Sequence, residues 1–475
     1  MHWVYTSLIY TDAPPHIGHL YELIIANSLC ECIKTWQNIK LAIGADDHGA
    51  KIQNLSRIKH TNPTKVSNLN SNKILAMCSK YKINVKDWIS TSYSRHTELV
   101  ASKIKQINAS KALFKLDYCG WYSPQLDCYC SSNLIQFSKN LMYCASNAPV
   151  EWTEERGAFI NFSRAKFKLL ALHRANLVAI PYTRVANASK IISLIEDVCI
   201  TRNKTTNYGI KLTTQNLKLV LWVWIDALLA YVNTNRGNKV HIIGKDITKF
   251  HLTHYIALSL LLNTKLPKVV LEHAFVNTLK TKVSKSLKNQ PSAAEFQAQA
   301  LYYYLCTRSF KNDIELNKSD LVAAFAKLAN NVGNLAKRII KLLTLNRLKL
   351  QQLTVSEWII VLYVRRLTTT LKHLARSFKL NEINNTILDG TAKINSAISN
   401  YKCWRNWRAN HKMFVYSFAA KRHIEWLKFA IGSKAESMIL SINSANTKYV
   451  PFPKLTQTYS AAYSDRTLAA NRTAL

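Results

Sequence analysis

TDAPPHIGHLY, Thr11 to Tyr21, is the stretch on which the fold turns. Before it, Trp3 to Tyr10 (WVYTSLIY) is rich in β-branched and aromatic residues and holds no breaker, so it predicts a buried strand. After it, Leu20, Leu23, Ile24 and Leu29 fall on or near one face, which predicts a helix over 20–33. Pro14-Pro15 stiffens the turn between them, and Gly18 allows a close backbone approach. A helix start presents unsatisfied N–H groups and the positive end of the helix dipole, which draw phosphate. His16 and His19 lie three apart across that start, where imidazole can add donors to phosphoryl oxygens. Strand, turn, helix start and donors together predict a nucleotide site. Read alone, H-x-G-H is weak evidence, and the same histidines are two ordinary surface residues beside a turn.

A second stretch far downstream, Lys282-Val283-Ser284-Lys285-Ser286, sets two lysines three apart beside serines. On a loop such a group suits a mobile clamp on polyphosphate, although a solvated basic loop has the same composition. In this order the two stretches resemble the HIGH and KMSKS signatures of class I aminoacyl-tRNA synthetases. The further motifs below resemble the methionyl-tRNA synthetases among them. The resemblance implies an α/β fold: a Rossmann-like class I synthetase catalytic domain with a small β-rich insertion, followed by an all-α anticodon-binding helix bundle.

The chain has 475 residues, enough for two or three domains, and its 48% hydrophobic content allows a sizeable core. The formal net charge is +37, from 64 Lys+Arg against 27 Asp+Glu, which predicts a polyanionic partner such as nucleic acid. A membrane surface is the rival partner, but no charge-free apolar run reaches about 18 residues. The longest candidate, Leu217 to Val232, carries Asp226, so no membrane association is expected. The 10 cysteines are scattered and suggest no disulfide framework. The first strand begins at once, without a secretory or transit pattern, and a cytoplasmic protein is expected.

Leu41 to Ala45 (LAIGA) predicts a short strand ending in Asp46-Asp47-His48-Gly49. Carboxylates at the end of a strand in an open α/β sheet point into the crevice where ligands bind; a helix N-cap is the other reading. The stretch resembles the G-T-D-E-H-G element of methionyl-tRNA synthetases, which implies that Asp46 holds the amino group of the amino acid. Helical patterns cover residues 50–82 and 94–111, with a strand over 87–91 between them. From Phe114 the character changes. Cys119, Cys128, Cys130 and Cys144 lie close in sequence, but a zinc knuckle wants paired Cys-x-x-Cys ligands and none occurs, so no zinc is expected. GWYS (120–123) and PVEWTEE (149–155) resemble the zinc-free form of the family's insertion.

Leu217 to Tyr231, LKLVLWVWIDALLAY, predicts a buried strand running into Trp224, then a short helix begun by Asp226. Trp224, Ala227, Leu228 and Tyr231 fall along one helical face, which on spacing alone is core packing. The stretch resembles the family's V-W-x-D-A-x-x-x-Y, whose positions line an apolar pocket for a thioether, a soft group suited to aromatic walls. HIIGKDI (241–247), with Phe250-His251, resembles the family's H-x-x-G-K-D-I-x-x-F-H. That resemblance implies that Gly244 and Asp246 face the adenosine ribose and that Ile247 and His251 complete the methionine pocket. Tyr255-Ile256 stands in place of the family's Trp-Pro.

From residue 319 the pattern is helical: 320–343, 355–378, 382–399 and 415–429 predict a bundle. Asn334 and Arg338 share a face. YKCWRNWR (401–408) interleaves aromatics with basics, which suits stacking on unpaired bases or anchoring the bundle. Gly333-Asn334-Leu335 with Arg338 resembles the family's Gly-Asn-Leu-x-x-Arg, and Trp404 falls where the family has a later Trp. The resemblance implies that Asn334, Arg338 and Trp404 read the anticodon.

The implied domains are residues 1–112 and 166–270 (catalytic), 113–165 (connective insertion), 271–318 (lysine-loop, stem-contact region), 319–458 (anticodon-binding) and 459–475 (tail). The implied activity is ATP-dependent attachment of methionine to initiator and elongator methionine tRNA through methionyl-adenylate, by a monomer, with Mg²⁺ accompanying ATP. His16, Gly18 and His19 would meet the phosphates and Glu22 the adenosine side. Lys282 and Lys285 would close over the β- and γ-phosphates. Leu8 and Tyr10 would contact methionine. The rival is a catalytically eroded tRNA-binding or scaffold protein of the same fold, suggested by the scarce glycines and by the drifted neighbours Tyr208, Tyr255 and Lys288.

Overall fold

The β-branched and aromatic run before the Pro-Pro turn forms strand β1 (His2–Tyr10), and the apolar stripe after it forms helix α1 (Ile17–Ile33). The computed structural model describes residues 2–34, 37–124, 128–130, 135–138, 141–144, 148–174, 192–193, 195–202, 207–214, 217–232, 237–278, 281–282, 298–345, 355–400, 410–431 and 433–444. The chain divides into two compact units: residues 1–26, 37–275 and 310–312, and residues 27–36, 276–309 and 313–475.

In the first unit the chain continues through β2 (Ile39–Asp46), α2 (Ala50–Ile58), α3 (Pro63–Lys80), β3 (Val85–Ser90) and α4 (Ser94–Ala109). The helical pattern over 50–82 is thus two helices. His60 takes a positive φ of 48°, and Asn62 then caps the new helix by accepting from the Thr64 N–H, with Pro63 in its first turn. Strands β4 (Leu113–Ser123), β5 (Cys128–Cys130), β6 (Gln136–Ser138), β7 (Leu141–Tyr143) and β8 (Pro149–Ile160) form an antiparallel sheet in the order β5-β4-β8-β7-β6. After α5 (Lys166–Arg174), β9 (Val198–Cys199) pairs with β8, and β10 (Thr201–Arg202), β11 (Lys211–Thr214) and β12 (Leu217–Leu221) make a small sheet. Then come α6 (Val223–Val232), β13 (Asn238–Gly244), α7 (Thr248–Phe250), a π-helical turn (His251–Tyr255), α8 (Ile256–Leu261) and β14 (Val269–His273).

The main sheet runs β14-β13-β1-β2-β3, all parallel. From β1 the chain builds outward through β2 and β3 on one side, and from β13 through β14 on the other. The order therefore reverses between β1 and β13, and the crevice outside their carboxyl ends, at Tyr10 and Gly244, is where such sheets bind ligands. Both faces are apolar: Val4, Leu20, Ile24, Ala42, Ile242, Ile243 and Leu271 are fully buried.

The pairing of β1 with β2 is interrupted between Tyr5 and Leu8. A bulge releases backbone groups that must find other partners. Here side chains supply them. The Ser7 N–H and hydroxyl both donate to Glu22, at 2.6 and 2.5 Å. The Tyr231 hydroxyl accepts from the Leu8 N–H at 2.8 Å and donates to the Thr6 carbonyl at 3.0 Å.

In the second unit, β15 (Val276–Thr278), β16 (Thr281–Lys282), α9 (Ala298–Cys306) and β17 (Ile314–Glu315) precede the helical region. There α10 (Lys318–Leu328) passes through a π-helical turn (Ala329–Gly333) into α11 (Asn334–Leu345), so the long pattern over 320–343 is interrupted in its middle. After α12 (Val355–Arg376) and α13 (Leu380–Asn400), α14 (Asn410–Trp426) packs against α11, α12, α13 and α16 (Ser433–Asn443), with α15 (Lys428–Ile431) between α14 and α16. Buried Val415, Ala419, Ile424, Ile339, Leu367 and Ile387 fill this bundle. Among the described residues no helix is long and apolar enough to cross a membrane.

Candidate active site

At the start of α1 the rings of His16 and His19 stack, with centroids 3.8 Å apart and planes 20° apart. The His16 backbone N–H donates to His19 Nδ1, and the Gly18 N–H donates to His16 Nδ1, each at 3.0 Å. An imidazole nitrogen that accepts carries no proton, so in both rings the proton resides on Nε2. The helix start thus carries two oriented Nε2–H donors beside its own N–H groups. A Cβ at Gly18 would lie 2.8 Å from His16 Cε1, so only glycine leaves room for the ring in this pose.

The loop after β2 is held by its own side chains. The Asp46 carbonyl accepts from the Thr11 N–H and hydroxyl, both at 3.0 Å. The buried Asp47 carboxylate accepts from Thr11, Ser71, Ser90 and Ser92 hydroxyls at 3.2, 3.1, 2.5 and 3.2 Å. Asp47 is thus the hub that fixes the loop, and the α2 N-cap is Gly49, without a side-chain cap. Gly49 has φ 109°, and a Cβ there would stand 2.7 Å from the Tyr10 hydroxyl. This places Tyr10 over the strand ends next to Asp46, its register partner across β1 and β2.

Helix α6 begins earlier than expected. The Trp222 carbonyl accepts from the Ile225 and Asp226 N–H groups, so Trp224 already lies in the first turn. Asp226, expected to begin the helix, is turned inward and 1% exposed. Its two carboxylate oxygens meet His48 Nδ1 at 2.7 Å and His96 Nε2 at 2.6 Å. Burial would push the Asp226 carboxyl up, but the two histidines hold it below the usual carboxylate range. Burial would likewise lower the His48 imidazole, and the Asp226 charge raises it above its ordinary value. The Asp46-Asp47-His48-Gly49 motif gives His48 no role of its own. His96 carried no sequence signal, because a single histidine in a helical pattern does not reveal what it faces.

Trp224, half-buried, stacks on Phe250 with centroids 4.0 Å apart and planes 11° apart. Ala227, Leu228 and Tyr231 are buried along the same helix. The Tyr231 ring sits 5.4 Å from His251, 5.0 Å from His241, 5.8 Å from Tyr255 and 6.1 Å from Tyr5. Tyr255 stacks on His241 at 4.9 Å. Burial pushes His251 down to about 4 and His241 well below its ordinary value, so this aromatic nest is uncharged near neutrality. Ile247 lies at its margin; its carbonyl accepts from the His251 N–H at 3.2 Å. The HIIGKDI motif gives His241 no function of its own.

Gly244 ends β13, and a Cβ there would meet Asp246 Oδ1 at 2.7 Å; Asp246 itself is exposed. Glu22 is buried and engaged: besides Ser7, its second oxygen meets His273 Nε2 at 3.0 Å. His273 Nδ1 contacts the Ala274 carbonyl at 2.9 Å. A carbonyl and a carboxylate both accept, so His273 donates from both nitrogens. Burial would lower its pKa, and the Glu22 hydrogen bond and charge raise it above the ordinary value. Glu22 therefore joins α1, the β1 bulge and the end of β14.

In the second unit, Lys282 lies in β16. Lys285 and Trp404 lie outside the described residues. Asn334 is exposed at the start of α11. The Arg338 guanidinium donates to the Asn395 carbonyl and side-chain oxygen at 3.1 and 3.3 Å and to the Ser399 hydroxyl at 2.9 Å. Asn395 in turn donates to the Asn331 carbonyl of the π-helical turn at 3.1 Å. Among the described residues no group of three or more His, Cys, Asp or Glu is placed to hold a metal ion.

A parallel sheet with a His-bearing turn and helix start at its switch point is the arrangement of the class I tRNA synthetases. A family profile described as tRNA synthetases class I (M) matches residues 2–140 and 139–340. The chain belongs to this family. Relatives include the methionine–tRNA ligases of Rickettsia felis, 28% identical over 360 residues and covering 71% of this chain and 69% of that protein, and of Rhizobium meliloti, 28% identical over 367 residues and covering 72% and 71%. Among solved structures, the Mycobacterium tuberculosis methionyl-tRNA synthetase in complex with methionyl-adenylate shares the fold, with a TM-score of 0.85 at 21% identity over 95% of this chain and 97% of that chain.

Proposed function

We propose that the chain is a methionine–tRNA ligase. It activates methionine with ATP and transfers the methionyl group to methionine tRNA. Membership of the family and the names of its relatives support the reading. The observation that supports it is the stacked His16–His19 pair at the start of α1, just after β1, with Asp46 paired to Tyr10 at the end of β1 and the Tyr231 hydroxyl tied to the β1 bulge. In the first step the methionine carboxylate attacks the α-phosphorus of ATP and pyrophosphate leaves. In the second, a hydroxyl of the tRNA's terminal ribose attacks the methionyl carbonyl and AMP leaves. Neither step needs a covalent side-chain nucleophile; both need positioning and charge stabilisation.

In this reading the Nε2–H groups of His16 and His19 hold phosphate oxygens, and Gly18 lets them do so. Lys282 and Lys285 close over the β- and γ-phosphates. ATP enters as its magnesium complex, the ion held mainly by phosphate oxygens. Gly244 and Asp246 take the ribose, and Glu22 supports the adenosine side through His273 and β1. Asp46 takes the ammonium, with Leu8 and Tyr10 beside it. Trp224, Ala227, Leu228, Tyr231, Ile247 and His251 enclose the thioether. Asn334, Arg338 and Trp404 read the anticodon of initiator and elongator methionine tRNA, and the protein acts as a cytoplasmic monomer. The +37 charge suits the tRNA backbone.

The test is amino-acid-dependent ATP–pyrophosphate exchange with methionine, leucine, isoleucine, valine and cysteine. Exchange with methionine alone is expected. Exchange with another amino acid would replace the pocket assignment. No exchange, from folded protein that binds tRNA, would leave the eroded tRNA-binding protein instead.

A further inference from the structure

The buried His48–Asp226–His96 group has no part in the substrate contacts proposed above, yet it joins the two parts of the proposed amino-acid site. Asp226 belongs to α6, the helix that carries Trp224, Ala227, Leu228 and Tyr231. His48 lies two residues after Asp46, on the loop that would take the ammonium, and His96 lies in the first turn of α4. Each carboxylate oxygen has its own histidine, at 2.7 and 2.6 Å from two directions, which triangulates the start of α6. The other end of α6 is tied to β1 through the Tyr231 hydroxyl. A helix held at both ends cannot drift toward or away from Asp46.

We propose that His48, Asp226 and His96 are positioning residues that set the distance between Asp46 and the wall helix α6, and thereby the length of amino acid the site accepts. The assignment rests on the methionine reading above. A site of fixed length separates side chains that differ by one methylene by about 10- to 200-fold. The three residues would therefore act on methionine recognition and leave ATP recognition alone.

The chemistry of the contacts supplies the test. His48 bonds through Nδ1, a position that the asparagine amide nitrogen reproduces. His96 bonds through Nε2, which the glutamine amide nitrogen reproduces. His48→Asn and His96→Gln keep a donor in place; His48→Gln and His96→Asn move it. Each full-length variant is measured in pyrophosphate exchange for methionine KM, ATP KM and kcat, with ethionine, one methylene longer, as competing substrate. Its fold is checked by melting temperature. The matched pair is expected to stay within about threefold of the parent in methionine KM, whereas the displaced pair raises it about tenfold or more, with ATP KM unchanged and ethionine discriminated less. Equal behaviour of matched and displaced variants overturns the assignment, and so do methionine and ATP KM rising together. If the displaced variants do not fold, the near-isosteric Asp226→Asn is read the same way: a rise confined to methionine KM supports the assignment, and any other pattern overturns it. Absence of methionine exchange in the parent protein overturns the functional reading as well; parent exchange, with matched and displaced variants alike or with methionine and ATP KM rising together, overturns this assignment alone.

Discussion

The orientation of the two signature histidines depends on backbone N–H groups, which hold both Nδ1 atoms as acceptors. That detail was not legible in H-x-G-H, because which nitrogen faces outward depends on the local turn. It gives Gly18 a definite task. Gly18→Ala would push the His16 ring aside, since the new Cβ falls 2.8 Å from Cε1. A displacement of an ångström in a positioning group costs about 100-fold in rate, so pyrophosphate exchange is expected to fall by that order while the melting temperature stays within a few degrees. Exchange at the parent rate would show that the ring pose is immaterial. Lys285, by contrast, is argued from sequence alone. Lys285→Ala is expected to slow adenylate formation about 100-fold or more with tRNA affinity nearly intact, measured by exchange and by filter binding; unchanged exchange would remove it from the site.

Among the elements, β1 and α6 show how local pattern and tertiary contact divide the work. The strand was legible from its composition. Its bulge was not, because Ser7 and Leu8 read as ordinary strand residues until Glu22 and Tyr231 are seen to satisfy them. Tyr231→Phe would leave the Leu8 N–H and Thr6 carbonyl without the hydroxyl they share. A buried group left unpaired costs about 1–3 kcal/mol, so denaturant unfolding is expected to show a loss of that size together with a higher methionine KM. No loss of stability would mean that water or another group replaces the hydroxyl. The helix α6 illustrates the converse. Its apolar face was legible from spacing, but Asp226 read as a helix start, and only the presence of His48 and His96 turns it inward.

At the scale of the whole molecule, buried histidines decide the response to acid. Burial holds His251 and His423 at about 4 and His254 at about 3, against an ordinary value of about 6.5 in the unfolded chain. The unfolded state therefore binds more protons between these limits, and stability is full above about 6.5 and declines as the pH falls toward about 4, by about 1.4 kcal/mol per pH unit for each histidine. His48 and His273 work in the opposite direction. Their raised values stabilise at lower pH, and that contribution is lost as the pH rises through them. Melting temperature measured across this range is expected to fall steeply on the acid side. A flat profile from pH 6.5 to 4 would show that the buried histidines gain water or partners on protonation.

By itself the sequence determined the alternation of strands and helices, the placement of the His-bearing turn after β1, the apolar face of α6 and the helical run from α10 onward. These follow from periodicity, breakers and residue type, which act within a few turns of chain. Only the tertiary structure decided which strand lies beside which, that the sheet order reverses between β1 and β13, and that His96 and His48 share Asp226. Those facts join residues far apart in the chain: His48 and Asp226 are 178 positions apart, and β1 pairs with β13 from His2 to Asn238. Burial alone makes such pairings energetically decisive, since a carboxylate taken out of water requires partners from wherever the fold can bring them.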